Sequence, residues 1–206
     1  MRIIEIFKGI QGEGKQIGRP TVFVRTAGCN LRCSFCDSKY SWTEGIEMTP
    51  REIVDKVIDF LIDDVTITGG EPGLQDDLEE LVLLLRQIQT TVHIETNGTF
   101  PFTFDARAIA DIICSPKKAN GHYVMHNILR PSCIKIVVKN PFEIEEALEW
   151  AENRGIDERK IWFMPEAANR MEYMERAPEI WQSCVQIGLN FSPREHIVLF
   201  DQERGR

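Results

Sequence analysis

No apolar run in this 206-residue chain approaches the roughly 20 residues that span a bilayer, so a membrane-crossing helix is not expected. The first residues, Met1-Arg2-Ile3-Ile4-Glu5-Ile6-Phe7, lack the extended apolar stretch and small-residue cleavage site of a secretory leader. A cytoplasmic protein is expected, with its six cysteines held as thiols rather than disulfides. Basic charge is short: 24 Lys and Arg stand against 32 Asp and Glu, a net charge of −8. That balance argues against the broad basic footprint that grips nucleic acid, and leaves room for a small anion held by a few local Arg and Lys. Internal repeats, low-complexity tracts and linkers are missing too. Residues 1–206 are therefore expected to form one domain with a substantial core.

What the chain does have is concentrated sulfur. Cys29, Cys33 and Cys36 fall within eight residues, spaced C-x3-C-x2-C. Thiolates this close can converge on one soft metal centre. A closed iron–sulfur cluster or a structural zinc takes four protein ligands. Three leave a metal position open for chemistry. A zinc knuckle remains the alternative on this stretch, its fourth ligand being Cys114 or a histidine. Cys114, Cys133 and Cys184 lie among apolar residues and read as small buried hydrophobes.

Hydrophobic patterning predicts strands at 2–7, 21–26, 64–68, 91–95, 111–114, 134–138 and 160–164, with short terminal strands at 189–191 and 196–200. Helices are predicted from Thr49-Pro50-Arg51-Glu52, which carries a capping box, and over 76–89, 141–154 and 172–187, the last with Pro178 as a break. Strand–helix alternation means βα units and a parallel sheet. The connection 100–110 is short for a helical crossover and starts with Pro101, and 115–131 has no clean helical stripe. The fold class expected is α/β, a partial, open barrel of about six parallel strands with fewer helices than strands.

Polar and glycine-bearing segments fall just after the strands, where such folds bind ligands. The segment Gly9-Ile10-Gln11-Gly12-Glu13-Gly14 can approach a ligand closely, or be a surface turn. Arg25 ends a strand beside the cysteines. Its fork suits a carboxylate; a surface ion pair is the other reading. Lys135 interrupts an apolar strand, facing the barrel interior and a cofactor carboxylate, or else sitting at the rim. His196, on its apolar terminal strand, reads as structural.

The cysteine loop, followed by a strand and Gly69-Gly70-Glu71-Pro72, resembles the radical S-adenosylmethionine superfamily. The residues Gly9 to Gly14, Phe23-Val24-Arg25-Thr26-Ala27-Gly28-Cys29-Asn30-Leu31, Cys36-Asp37-Ser38, Ser115-Pro116-Lys117 and Met164-Pro165-Glu166 are similar to the 7-carboxy-7-deazaguanine synthase family, over nearly the full length.

The resemblance implies a [4Fe–4S] cluster on Cys29, Cys33 and Cys36, with S-adenosylmethionine on the fourth iron. It implies conversion of 6-carboxy-5,6,7,8-tetrahydropterin to 7-carboxy-7-deazaguanine, with ring contraction and loss of ammonia. Ile10, Gln11, Gly12, Arg25 and Thr68 would contact substrate, Arg25 through the carboxylate. Phe35, Cys36, Asp37, Gly70, Glu95, Asn97, Ser115, Pro116, Lys117, Met164, Pro165, Glu166 and Ala167 would line the cofactor site. Ser38 would be the protein ligand to Mg²⁺. No general base is assigned; Glu13 is the candidate for proton transfer, with His196 the second choice behind its structural reading. The charged C-terminal end departs from the family pattern, so no terminal contact is carried over. A flavodoxin- or ferredoxin-like reductant and a homodimer are further implied. The alternatives are a glycyl-radical activating enzyme of the same superfamily, or a non-catalytic iron–sulfur or zinc protein.

Overall fold

A computed structural model describes residues 1–119, 121–126 and 130–205. Its main sheet has nine strands. Six of them, β2 (Pro20–Thr26), β4 (Asp64–Gly69), β5 (Thr91–Thr96), β6 (Asp111–Cys114), β9 (Cys133–Val138) and β10 (Ile161–Pro165), run parallel in that spatial order. The short β11 (Asn190–Phe191) extends the parallel set. The other edge is antiparallel, β1 (Arg2–Ile10) on β2 and then β3 (Ile46–Glu47) on β1. The sheet therefore ends in two open edges, and the α/β partial barrel expected from the sequence is what forms.

Alternation along each strand decides which side chains meet helices and which meet the interior. Val22, Val24, Val65, Ile67, Val92 and Ile94 are buried against helix α1 (Pro50–Ile58) and helix α2 (Leu78–Gln87), which supply Ile53, Val57, Leu81 and Leu85. Ile134, Ile136, Val138 and Phe163 do the same with α4 (Pro141–Glu152) and α5 (Arg170–Ile187). Each such side chain contributes roughly 1.5–3 kcal/mol by leaving water. The intervening residues, Arg25 and Lys135 among them, face the interior by the same alternation. Helix α1 starts where its capping box says: Thr49 Oγ1 accepts from Glu52 N–H, and Glu52 reaches back to the Thr49 N–H.

Two local expectations are corrected. Pro178 does not break α5. Proline removes one hydrogen bond to residue 174, and both positions face solvent, where water can serve the freed carbonyl. Residues 196–200 are not a strand but lie in α6 (Glu195–Phe200), where Val198 N–H bonds Arg194 C=O at 3.1 Å. A four-residue apolar run does not distinguish the two states. The stretch without a helical stripe holds the hairpin β7 (Lys117–Ala119) and β8 (His122–Val124). The 100–110 connection holds the one-turn α3 (Ala106–Ile109). The edge strand β3 was not anticipated from the sequence.

Candidate active site and cluster loop

The strand ends and their loops surround a cavity of about 250 Å³. The glycine loop after β1 brings Ile10, Gln11, Gly12 and Glu13; the loop after β2 brings Cys29, Cys33, Phe35, Cys36, Asp37 and Ser38. Arg25, Thr68, Gly70, Glu95, Asn97, Ser115, Lys117 and Met164 line the same space. Pro116, Pro165, Glu166 and Ala167 do not. Glu166 turns to Arg176 and Lys139, at 3.8 and 3.6 Å, and Ala167 is buried behind the lining.

The loop from β2 is short of backbone hydrogen bonds. Leu31 N–H donates to Cys29 Sγ at 3.4 Å, Cys36 N–H to Cys33 C=O at 3.3 Å, and Gly28 N–H to Ser41 C=O at 2.8 Å. All three cysteines are half-buried and unpaired, and burial pushes the Cys29 and Cys36 thiols up. Cys114, Cys133 and Cys184 are buried elsewhere and line none of this cavity, the Cys114 thiol being pushed up to about 12 by burial. Among the described residues, the one group of three His, Cys, Asp or Glu with ligand atoms within 4.8 Å of one another is Glu13, Asp37 and His196. Three cysteines, with no fourth among the residues lining the cavity, fit a multi-iron cluster with one open position better than a closed four-ligand zinc site.

The Gly-Gly-Glu-Pro turn is fitted to this loop. Gly69 has φ +124°, and a Cβ at Gly70 would collide with the Gly28 carbonyl. Gly70 N–H bonds Thr26 C=O at 3.0 Å and Glu71 N–H bonds Gly28 C=O at 2.8 Å. Glu71 is fully buried and points away from the cavity, accepting from Thr96 Oγ1 and Asn97 N–H, both at 2.7 Å. It braces the end of β5.

A chain of alternating charges crosses the cavity floor. Lys135, buried, donates to Glu13 Oε2 at 2.8 Å and to Glu95 Oε1 at 2.7 Å. The interior position expected for Lys135 is thus observed, with the protein's own carboxylates as its partners. Glu95 also accepts from Thr68 Oγ1 at 2.9 Å and Gln11 Nε2 at 3.3 Å. Burial alone would raise the Glu13 carboxyl, but Lys135 and Arg194 outweigh it and hold it at about 2. Arg194 bonds both Glu13 and Asp37, which keeps a cation from sharing those two carboxylates. At the mouth, Arg25 Nε donates to Glu5 Oε1 at 2.7 Å and Nη1 lies 3.5 Å from Ser38 Oγ.

One lining residue was read from the sequence as structural, and several others escaped it. His196 belongs to the site, its Nε2 lying 3.6 Å from Asp37 and 3.8 Å from Glu13. Arg194, Tyr40 and residues 201–205 also line the cavity. Arg204 stacks 3.6 Å over the Tyr40 ring and pairs with Glu44 at 3.1 Å.

The Radical SAM superfamily model matches residues 23–176, which span the cluster loop, the glycine turn and the parallel strands. Beyond the superfamily, the 7-carboxy-7-deazaguanine synthase of Pyrobaculum aerophilum is 36% identical over 100% of this chain and 97% of its own length. The chain belongs to the 7-carboxy-7-deazaguanine synthase family. The family's Hyperthermus butylicus enzyme is 34% identical over 97% of this chain and 92% of its own. The crystal structure of QueE from Escherichia coli superposes with a TM-score of 0.72, covering 93% of this chain and 92% of that one at 24% identity, a likeness of fold. As a family member this chain is a radical S-adenosylmethionine enzyme of 7-deazapurine biosynthesis, with a [4Fe–4S] cluster and S-adenosylmethionine as cofactors.

Proposed function

We propose that this chain converts 6-carboxy-5,6,7,8-tetrahydropterin to 7-carboxy-7-deazaguanine. The observation that carries the substrate reading is Arg25. Its Nε is engaged by Glu5, while Nη1 reaches into the cavity beside Ser38. A guanidinium oriented on one edge presents the other to a carboxylate. A pterin bearing a carboxylate meets that demand.

When bound, the cluster and S-adenosylmethionine supply the one-electron chemistry that begins by removing a hydrogen atom from C6 of the substrate. The chain's own residues bind and orient. Cys29, Cys33 and Cys36 would hold the cluster. Phe35, Cys36, Asp37, Gly70, Asn97, Ser115, Lys117 and Met164 would form the cofactor wall, with Pro116, Pro165, Glu166 and Ala167 backing it from behind. Lys117, half-buried and bonded to the Ser115 carbonyl at 2.9 Å, would offer a cation there. Ile10, Gln11, Gly12 and Thr68 would face the pterin. Glu95, first read as a cofactor contact, accepts from both Gln11 and Thr68 and would sit between the two wells.

Mg²⁺ would bind at Ser38, one of few protein ligands, as this ion commonly retains waters. Ser38 Oγ already donates to Asp37 Oδ1 at 2.8 Å, so the hydroxyl faces an oxygen-rich corner. Glu13 would assist proton transfer once substrate alters its pairing with Lys135 and Arg194. We further propose that residues 1–206 act as one domain, in the cytoplasm, as a homodimer served by a flavodoxin- or ferredoxin-like reductant. No described helix is long and apolar enough to cross a membrane.

The test is anaerobic reconstitution of the cluster, then incubation with reductant, S-adenosylmethionine and the carboxylated pterin. The product is expected at the mass of 7-carboxy-7-deazaguanine. Cofactor cleavage without any such product would refute the substrate reading.

A further inference from the structure

One side chain ties together three segments around this cavity. Arg194 lies in Ser192-Pro193-Arg194-Glu195-His196, just ahead of α6, and is buried. Arginine is rarely buried unless paired. Here each edge of the guanidinium meets a different part of the chain. Nε donates to Glu13 Oε1 in the glycine loop at 3.1 Å. Nη2 donates to Asp37 Oδ2 in the cluster loop. Nη1 donates to the Ala167 carbonyl beyond β10. The turn carrying Arg194 is itself seated on the glycine loop. Gly14 N–H donates to Ser192 Oγ at 2.8 Å, and Glu195 N–H to Gly12 C=O at 3.2 Å.

The cluster loop needs such a tie. Between its anchored ends it has few backbone hydrogen bonds to fix it, and low local bonding means low local stability. Asp37 follows Cys36 directly, so whatever holds Asp37 sets where the third cysteine stands. We infer that Arg194 is a positioning residue that holds the cluster loop, through Asp37, in register with the glycine loop and the end of β10. The inference rests on the proposed function only for what the loop holds; the tie itself is a property of the chain. Lysine cannot replace it in full, because an ammonium is a point charge without the three-sided planar fork. Glutamine removes the charge and leaves Glu13 facing Lys135 and His196.

Hydrogen exchange on the full-length chain before cluster reconstitution tests this directly. In Arg194→Gln the amides of residues 28–41 should exchange about tenfold faster, as expected for the loss of a charge-assisted hydrogen bond from a locally opening segment. Amides of β4 and β5 should keep their protection. Arg194→Lys should fall between. Adding Asp37→Asn to Arg194→Gln should change loop exchange little further, because the contact the two residues share is already gone. Unchanged loop exchange in Arg194→Gln would overturn the inference. If that variant loosens the whole fold, Arg194→Lys decides: acceleration confined to 28–41 supports the inference, and none, or equal acceleration in β4 and β5, overturns it. A reconstituted wild-type protein without turnover would sink the function proposal and leave this exchange result to be judged by itself.

Discussion

Glu5 of β1 and Arg25 of β2 stand opposite one another in the antiparallel register, and Arg25 Nε donates to Glu5 Oε1 at 2.7 Å. Tyr40 Oη donates to the same oxygen at 3.0 Å. The pair is half-buried at the cavity mouth, and it orients Arg25 rather than consuming it. Arg25→Ala should therefore lower kcat/KM by about 100-fold or abolish turnover, the scale of losing a bidentate charged contact. Uncoupled cleavage of S-adenosylmethionine should continue. Loss of the cluster itself, read by its visible absorption, would make the role structural.

Ser38→Ala should weaken the dependence of turnover on Mg²⁺. Titrating the metal into wild-type and variant enzyme checks this. Equal stimulation in both would remove Ser38 from the metal site.

Lys135 lies buried between Glu13 and Glu95. Burial alone would lower its ammonium, yet the two carboxylates hold it above the usual lysine range. Lys135→Met should cost about 3–5 kcal/mol in urea unfolding, because removing one member of a buried network strands the others. Lys135→Met combined with Glu95→Gln should recover part of that loss. A cost below about 1 kcal/mol would contradict the network.

At the opposite end of the strands, His93 Nε2 lies 3.2 Å from Asp64 and Nδ1 3.3 Å from Asp111. Lys15 and Arg19 also face these carboxylates, at 2.9 and 3.5 Å. Burial would lower the His93 imidazolium, but hydrogen bonds to Asp111 and Asp64 hold it at about 9. A value raised on folding stabilises fully below the unfolded value of about 6.5 and ceases to do so as pH rises through the folded one. Unfolding free energy should thus fall by roughly 3 kcal/mol between pH 6.5 and 9. His93→Gln should flatten that slope. An equal slope in the variant would show that other groups cause it.

The parallel sheet was legible because β-rich runs bounded by glycine and proline carry their own punctuation, as at Asp64 to Pro72. Helix α1 was legible because Thr49 and Glu52 cap it within one turn. The cluster loop was legible because its cysteines fall within eight residues. The electrostatic floor was not. Lys135 meets Glu13 across 122 residues, and Arg194 meets the same carboxylate across 181. Nothing local records such pairings. His196 was misplaced for a different reason. Its apolar neighbours satisfy a strand as readily as a helical turn, and only docking on Gly12 decides between them.

The central claim is that this cavity brings a carboxylated tetrahydropterin to the cofactor. The most direct measurement uses substrate deuterated at C6 in the reconstituted enzyme. The account predicts deuterium in the 5′-deoxyadenosine formed, together with a product at the mass of 7-carboxy-7-deazaguanine. Unlabelled 5′-deoxyadenosine and no product of that mass would contradict it.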